Sequence, residues 1–422
     1  MRQLQEGIQL TVIPTTKFKT IRIFIRFSTV HTRLQAVRRT LLTSVLETSS
    51  QKYPLQTDLS SQLAELYGAS FGMNVSKKGN LHQVNVTMNL VNGKYINDEK
   101  ILAQGVDFLK EVLFYPNQQA GLFDEETFNL EKENLIDYIT SVPEDKQAFA
   151  SLQLQELYFG QESNQGVPSF GLVEDLQATS NEDLMATYRE LLAKDIVDIF
   201  VVGDVEEQRV YDLFAQWDFP KTKRQMPTMF YTQELQAKVK ERTVKEAVTQ
   251  AKLNLGYHTG IYYTDEKRYA LTVFNGLFGG FPHSKLFMNV REKESLAYYA
   301  SSSVDTFRGY LTVQTGIETS NRQQVLQLIE EQLTSLANGD FTDLAFEQTK
   351  AMLKNQILLS LDNAQVLIEM KYLHQWLPES AMDTPAYIEK LMQVSREDVQ
   401  AIAKQIQLQA IFFLATEGDM ND

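Results

Sequence analysis

The chain has 422 residues and a formal net charge of −14, which argues against binding to the phosphate backbone of nucleic acids. It contains no cysteine, which excludes disulfides, thiol catalysis and thiolate metal sites. No apolar run approaches the roughly 20 residues that cross a bilayer, and the first residues lack the apolar core of a signal peptide. We therefore predict a cytoplasmic protein of about two to three domains that binds neither nucleic acid nor membrane.

The first half of the chain alternates strand and helix patterns. Alternating apolar residues predict strands over 7–14 and 20–28, which we expect to pair with each other. Apolar residues at helical spacing predict a helix over 34–48, and a second strand pair is predicted at 70–76 and 81–90. The other predicted helices cover 59–67, 101–114, a long stretch from Asp124 that is interrupted near Pro143, and 148–159.

A repeated pattern relates the two halves. The matched positions are Ser180 with Ser395, Asp183 with Asp398, and Gly203-Asp204 with Gly418-Asp419, each pair 215 residues apart. In both copies the Ser-x-x-Asp start is typical of a capping box, and the helix leads to a strand, 196–202 or 410–415. One offset that holds through helix, strand and turn indicates an internal duplication.

The second half has the same order of predicted elements. These are a strand at 248–257, helices at 268–277 and 284–294, a strand pair at 300–304 and 309–316, and a helix at 323–337. We predict an α+β fold of two homologous domains, each a mainly antiparallel sheet with helices packed on one face, arranged as a clam shell. The predicted domains are 1–218 and 236–422, joined by a linker, 219–235, in which prolines and a basic cluster interrupt the periodicity.

Residues 277–303 contain the most distinctive segment of the second half. A Gly-Gly-x-Pro break precedes a helix for which Ser284 is the predicted N-cap. Arg291 lies on that helix and Tyr298 follows it. A guanidinium and a phenol a few residues apart are donors that suit a peptide carbonyl or a developing oxyanion. The alternative is a surface arginine paired with an acid, and a packed tyrosine with its hydroxyl in water.

The order of residues in this segment resembles the pitrilysin/insulinase-type zinc peptidases, in particular the branch of mitochondrial processing peptidase and its bacterial relatives. The residues that match are Gly279, Gly280, Ser284, Leu286, Phe287, Arg291, Glu292, Lys293, Leu296, Ala297 and Tyr298. Lys285, Glu294 and Ser295 depart from the commoner Arg, Arg and Gly. The resemblance implies that Arg291 and Tyr298 bind substrate.

The zinc motif of that family is absent at the matching place. Family enzymes carry His-x-x-Glu-His on the first helix, with two ligands one turn apart and a glutamate that activates water. Landmarks at 52–54 and 65–70 align this motif with Thr40, Thr43 and Ser44. Neutral hydroxyls neither bind zinc well nor act as a general base at neutral pH.

The remaining family ligand, a glutamate on a later helix, falls at or near Tyr138, while Glu131 matches another glutamate of the family. The five histidines are too far apart in the sequence to share a helical turn, and we expect surface or hydrogen-bonded structural roles for them. They are His31, His82, His258, His283 and His374. We therefore predict no metal, no cofactor and no catalytic residue on this chain, which alone should not hydrolyse peptides by the family's mechanism.

Some relatives divide the zinc motif and the Arg/Tyr pair between two chains. The sequence accordingly predicts the non-catalytic subunit of a two-subunit zinc peptidase, a heterodimer in which a homologous partner supplies the zinc. Arg291 and Tyr298 would hold a peptide or unfolded polypeptide that adds to an exposed strand edge. The alternative is a metal-free scaffold or peptide-binding protein of the same fold with no role in proteolysis.

Overall fold

The computed structural model describes residues 1–417, which contain two large sheets of mostly antiparallel strands and one two-stranded sheet. The first half contributes β1 (Arg2–Gln5), β2 (Ile8–Pro14), β3 (Thr20–Val30), β4 (Ser70–Lys78), β5 (Leu81–Val91), the short pair β6 (Gln118–Gln119) and β7 (Leu122–Phe123), and β8 (Ile196–Gly203). The second half contributes β9 (Lys240–Glu246), β10 (Ala251–His258), β11 (Ala297–Asp305), β12 (Tyr310–Ile317) and β13 (Gln407–Thr416). The second copy of the predicted Gly-Asp ending, Gly418-Asp419, lies outside the described residues.

Helices surround these sheets. Those of the first half are α1 (Arg33–Thr48), α2 (Gln56–Glu65), α3 (Ile101–Phe114), α4 (Glu125–Ser141), α5 (Lys146–Phe159), α6 (Val173–Ala178), α7 (Asn181–Lys194) and α8 (Glu207–Phe214). Those of the second half are α9 (Arg268–Asn275), the π-helices π1 (Gly276–Gly280) and π2 (Leu286–Lys293), α10 (Arg322–Asn338), α11 (Asp343–Ser360), α12 (Ala364–Trp376), α13 (Thr384–Gln393) and α14 (Arg396–Gln405). Short 3₁₀ turns cover Gly93–Tyr95, Val142–Glu144, Asn164–Gly166, Thr319–Asn321 and Pro378–Ser380. No helix within residues 1–417 is long and apolar enough to span a membrane.

The larger sheet has the strand order β1-β2-β8-β3-β5-β4. The predicted pairing of the strands at 7–14 and 20–28 is wrong, because β8 lies between them, parallel to β2 and antiparallel to β3. Every residue of β8 is buried, as expected of a strand at the centre of a sheet. The pairing of 70–76 with 81–90 is confirmed as the hairpin of β4 and β5.

The duplication appears directly in the topology. The smaller sheet has the order β9-β13-β10-β12-β11, which repeats the order β2-β8-β3-β5-β4 of the larger one. In each sheet the first pair of this series is parallel and the following pairs are antiparallel. The two predicted capping boxes are also confirmed, since Ser180 and Ser395 cap α7 and α14 in the same way.

The chain divides into two compact units that are discontinuous in sequence. Unit 1 comprises Met1–Ser141, Val167–Thr228 and Asp362–Tyr372. Unit 2 comprises Val142–Gly166, Met229–Leu361 and the described residues from Leu373 onward. Each unit thus includes a segment from the other half of the chain, α5 in unit 2 and most of α12 in unit 1, an exchange that the ranges 1–218 and 236–422 do not contain.

The exchanged helices cover the second face of each sheet, so helices pack on more than the one face predicted. In unit 2, Phe412 of β13 packs in a cluster with Leu154 and Tyr158 of α5, whereas the neighbouring Ile411 and Phe413 belong to the main core. Successive strand residues point to opposite faces, so α5 lies on the face away from that core. In unit 1 the main core, with residues such as Ile23, Ile25 and Val37, lies on one face, and α12 covers the other.

Candidate functional site

The residues aligned with the family's metal motif come together in one pocket of unit 1. Thr40, Thr43 and Ser44 lie on one face of α1, as their spacing requires, and Tyr138 on α4 faces the same space. The cavity has a volume of about 390 Å³. It is lined by Thr40, Thr43, Ser44, Met73, Asn74, Val75, Asn134, Leu135, Tyr138, Ser169 and Phe170.

The threonine hydroxyls of this pocket donate hydrogen bonds to backbone carbonyls. Thr40 Oγ1 donates to the carbonyl of Ala36 at 2.8 Å, and Thr43 Oγ1 donates to the carbonyl of Thr40 at 2.7 Å. A carbonyl oxygen only accepts, so each hydroxyl must be the donor, and its remaining capacity is as an acceptor. Zinc in proteins takes thiolate, imidazole or carboxylate ligands, so these residues do not fit it.

Among the described residues, the lining of this pocket contains no carboxylate, imidazole or thiol. Within residues 1–417, no three His, Cys, Asp or Glu side chains lie close enough together to hold a metal ion. Glu131 does not line the pocket; its Oε1 accepts a hydrogen bond from Thr48 Oγ1 at 2.8 Å. The place of the family's metal is therefore occupied by neutral polar and apolar groups.

Glu47, which sequence reasoning missed, lies one turn further along α1. Its Oε2 accepts a hydrogen bond from the backbone N–H of Met73 on β4 at 3.3 Å. Burial raises the pKa of Glu47, the bond from Met73 opposes that rise, and the negative charge of Glu131 adds to it. Glu47 thus occupies one of the backbone donors of β4.

A buried network holds the segment 167–170, of which Ser169 and Phe170 line the pocket. Arg39 Nε donates to His82 Nδ1 at 3.0 Å, which fixes the proton of His82 on Nε2, and Nε2 donates to the carbonyl of Ser169 at 2.8 Å. Arg39 also forms an ion pair with Asp195 at 2.7 Å, and both side chains are almost fully buried. Burial, with the nearby charge of Arg39, lowers the pKa of His82 well below its usual value.

His31 completes this network from the end of β3. Its ring lies parallel to that of His82 with centroids 5.6 Å apart, and its Nε2 donates to the carbonyl of Val167 at 3.2 Å. Lys77 Nζ donates to the same carbonyl at 2.9 Å. Both histidines are thus hydrogen-bonded structural residues, as expected, although no sequence pattern indicates that the two rings stack. Only the pairing of β3 with β5, which sets Thr29 opposite His82, brings them together.

Arg291 and Tyr298 lie in unit 2, on π2 and β11. The guanidinium of Arg291 sits over the ring of Phe287, 4.5 Å from its centroid, and its Nε is 3.5 Å from Glu292 Oε1. Tyr298 is 61% exposed and its hydroxyl donates to Glu318 Oε1 at 2.8 Å. That hydrogen bond, with the charge of Glu318, raises the pKa of Tyr298.

The helices around this segment differ in form from those predicted. The helix expected at 268–277 is α-helical only to Asn275, and π1 and π2 replace the α-helical turns expected before and after the Gly-Gly-x-Pro break. A Cβ at Gly279 would lie 2.6 Å from the backbone nitrogen of Ser302, so the glycine permits π1 to approach β11 closely. Ser284 Oγ accepts from Phe287 N at 3.4 Å, a bond of the kind expected of an N-cap, although π2 begins at Leu286 and the residue at its N-cap position is Lys285.

Each of the two large sheets has two edge strands, and the side chains of one of them are mostly uncharged. These strands are β4, beside the pocket, and β11, which carries Tyr298. The opposite edges are protected, β9 by charged side chains along its length and β1 by being only four residues long. The register of β11 shifts between Ala297 and Tyr299, so Tyr298 occupies a bulge.

The duplicated fold and the pocket at the motif position define a class of protein, the metallopeptidase homologues. Residues 179–353 match the family model described as the peptidase M16 inactive domain. The probable inactive metalloprotease YmfF of Bacillus subtilis is 36% identical over 417 residues, 98% of this chain and 97% of that protein. This chain therefore belongs to the M16 peptidase family, and the resemblance inferred from residues 277–303 is confirmed.

Proteins similar to this chain carry the names of both inactive and zinc proteases. The uncharacterized zinc protease YmxG of Bacillus subtilis is 26% identical over 325 residues, 75% of this chain and 76% of that protein. The crystal structure of a conserved protein from Enterococcus faecalis V583 has a TM-score of 0.95 and 52% identity, covering 100% of this chain and 99% of that one. A peptidase M16 inactive domain from Pseudomonas fluorescens shares the fold, with a TM-score of 0.80 and 16% identity over 98% of this chain and 97% of that one.

Proposed function

We propose that the chain is the non-catalytic subunit of a two-subunit zinc peptidase, a heterodimer located in the cytoplasm. A homologous partner chain holds the zinc, and Arg291 and Tyr298 of this chain bind the peptide or unfolded polypeptide substrate. The observation that carries the proposal is the pocket at the motif position, where Thr40, Thr43, Ser44 and Tyr138 stand at the places aligned with the ligands and the general base. The names of relatives support it, since Bacillus subtilis has both a probable inactive metalloprotease and a zinc protease similar to this chain.

The surroundings of Arg291 and Tyr298 suit a role in substrate binding. A guanidinium has five N–H donors, and that of Arg291 has an acid contact only at 3.5 Å, so donors remain for a peptide carbonyl. Tyr298 lies in a bulge of an edge strand, a place where bulges commonly re-aim side chains near functional sites. A substrate in extended form can pair with such an edge, its main chain providing affinity and its side chains selectivity.

A metal-free scaffold or peptide-binding protein is the second candidate, and one observation favours it. The Tyr298 hydroxyl is bonded to Glu318, and the Arg291 guanidinium rests on Phe287, so both groups have partners within their own chain. In this role the mostly uncharged edge strands β4 and β11 would bind peptide without any hydrolysis.

Co-expression with a homologous chain that carries His-x-x-Glu-His separates the two candidates. We expect a complex that contains zinc and hydrolyses unfolded polypeptides. Arg291→Ala is expected to lower kcat/KM by about tenfold to a hundredfold, because hydrogen bonds from a charged donor contribute about 1.5–3 kcal/mol. Tyr298→Phe, which removes one neutral hydroxyl, is expected to lower it by about threefold to tenfold.

Matched substitutions in unit 1 control for general effects on the chain. Arg209→Ala and Tyr95→Phe remove an exposed arginine and an exposed phenol hydroxyl, and both should leave the rate unchanged. A complex whose rate is insensitive to Arg291→Ala and Tyr298→Phe would contradict the substrate-binding role. Zinc bound tightly by this chain alone would contradict the division of labour.

A further inference from the structure

We propose that the pocket on α1 binds one uncharged aromatic side chain with a hydrogen-bond donor, that of tyrosine or tryptophan, from a peptide paired with β4. The inference deepens the proposed function and rests on its peptide-binding part. At the position where relatives hold a metal, this chain would have a pocket that recognises a side chain.

The floor of the pocket selects a donor. Both threonine hydroxyls donate to backbone carbonyls. Thr43 donates to Thr40, and Thr40 donates to Ala36, with the carbonyl of Ser169 as a second acceptor at 3.4 Å. The two hydroxyls therefore offer lone pairs to a guest. Asn134 Nδ2 lies 3.5 Å from Glu131 Oε2, which directs its amide nitrogen to that acid and leaves its oxygen as a further acceptor. A guest that carries an O–H or N–H satisfies these acceptors, whereas a purely hydrocarbon guest desolvates them without compensation.

The lining also selects against a charged guest. The eleven lining residues, all in the described part of the chain, include no charged side chain. A lysine or arginine of a substrate would lose its hydration there without an opposite charge. The carboxylates of Glu47 and Glu131 lie outside the lining, bonded to Met73 N and Thr48 Oγ1.

The walls and the size of the pocket suit an aromatic ring. Val75, Leu135 and Phe170 supply apolar surface, and the rings of Phe170 and Tyr138 meet edge to face with centroids 5.8 Å apart. A third ring extends such an arrangement favourably. The cavity of about 390 Å³ is large enough for the largest side chains, and Met73, Asn74 and Val75 place it beside the edge strand β4. A peptide that pairs with β4 at this point takes the N–H of Met73 from Glu47.

The back wall is rigid enough to support selectivity. The carbonyl of Ser169 is held by His82 Nε2 at 2.8 Å, and that of Val167 by His31 Nε2 and Lys77 Nζ. A recognition pocket works best when the residues that form it are fixed by surrounding packing and hydrogen bonds.

The test uses the full chain and a set of labelled extended peptides that differ at one central position, occupied by Tyr, Trp, Phe, Lys or Ala. Fluorescence anisotropy gives the dissociation constant of each. The Tyr and Trp peptides are expected to bind at least about tenfold more tightly than the Ala peptide, through ring burial. They should also bind about threefold to tenfold more tightly than the Phe peptide, through the donor. The Lys peptide should bind no better than the Ala peptide.

Isosteric variants then locate the interaction. Thr40→Val or Thr43→Val should lower the affinity for the Tyr peptide toward that for the Phe peptide. Thr187→Val is the matched control, since Thr187 is a buried residue of α7 whose hydroxyl donates to Asp183 O at 2.9 Å, outside the pocket. It should change neither affinity. Tyr138→Ala, at an exposed position where folding is not at risk, should weaken binding of all aromatic peptides by about tenfold.

Equal affinity for the Tyr and Ala peptides, a preference for Lys, equal effects of Thr43→Val and Thr187→Val, or no peptide binding would each overturn the inference. Peptide binding without an aromatic preference overturns it and leaves the proposed function standing. An aromatic preference on this chain, together with a complex insensitive to Arg291→Ala, supports the inference and overturns the proposed function.

Discussion

At the scale of single residues, the least expected feature is the pair of stacked histidines behind the pocket. His82 accepts from Arg39 at one ring nitrogen and donates to Ser169 at the other, so it fits its site only when neutral. A proton added at Nδ1 would face the N–H of Arg39, with the charges of His31 and Lys77 also unfavourable. The histidine therefore makes the stability of unit 1 dependent on pH.

The sign of that dependence follows from the lowered pKa of His82. Its folded pKa lies below the unfolded value of about 6.5, so its contribution to stability is present above pH 6.5 and is lost as the pH falls below it. We expect the free energy of unfolding to decrease by up to about 1.4 kcal/mol per pH unit between pH 6.5 and 5. Urea unfolding at a series of pH values measures this slope.

Two variants identify the residue responsible. His82→Gln keeps a donor for Ser169 but cannot be protonated, and it should remove most of the slope. His283→Gln removes a partly buried histidine of unit 2, whose pKa burial also lowers, and should leave most of it. An unchanged slope in His82→Gln would assign the effect to other groups.

Residue identities allowed part of the site to be predicted. The alignment placed Thr40, Thr43, Ser44 and Tyr138 together, and the pocket contains all four, because helical spacing and landmark residues determine which face of α1 they share. Glu47 and the His31–His82 pair were not predicted, because their contacts depend on strand register and on the packing of 167–170. A sequence does not express such contacts as a local pattern.

At the scale of elements, helix starts were the most predictable feature. The boxes at Ser180 and Ser395 have the same bonds, with Ser180 Oγ accepting from Asp183 N at 3.2 Å and Ser395 Oγ accepting from Asp398 N at 3.1 Å. Strand pairing was less predictable, because β8 is far from β2 and β3 in sequence and enters between them. The π-helices could not be predicted, since their form depends on the close approach of π1 to β11.

The caps provide a test at this scale. Ser180→Ala and Ser395→Ala should each lower the stability by about 1 kcal/mol, because each leaves a backbone N–H at a helix start without its acceptor. The effects should add, since the caps belong to different units and share no partner. Urea unfolding measures both. Ser60→Ala, at an exposed position within α2, should leave the stability unchanged or slightly higher, and an equal loss there would contradict the capping role.

At the scale of the whole molecule, the exchange of α5 and α12 distinguishes this chain from two domains joined by a linker. On unit 2 the exchanged helix buries an apolar face, with Leu154 and Phe412 in one cluster. In unit 1 the contact between the exchanged helix α12 and the sheet is polar. Arg26 and Glu369 form an ion pair at 2.5 Å, and Arg22 donates to Gln365 at 2.9 Å. The sequence of α12 does not predict this contact, because polar residues such as Gln365 and Glu369 on one face of a helix normally indicate a face exposed to solvent.

Removing one member of the buried ion pair tests the exchange. Arg26 is 4% exposed at its side chain, so Glu369→Ala removes the ion-pair partner of a buried cation and leaves the charge of Asp198 on the neighbouring strand as compensation. The variant should cost up to about 3 kcal/mol in the free energy of unfolding. Glu174→Ala, which removes an exposed partner of Arg33, should cost less than about 1 kcal/mol. Equal losses for Glu369→Ala and Glu174→Ala would contradict the structural role of α12.

The exchange of α5 and α12 between the two units bears on how such a chain arose. Each sheet depends on a segment encoded in the opposite copy of the repeat, at equivalent positions in both. A single ancestral copy with the same arrangement would have had to exchange that segment with a second, identical chain, as in a domain-swapped homodimer. Gene fusion would then have turned a swapped homodimer into one polypeptide and freed its two lobes to diverge, one around a vacated metal position and the other around a bulged strand.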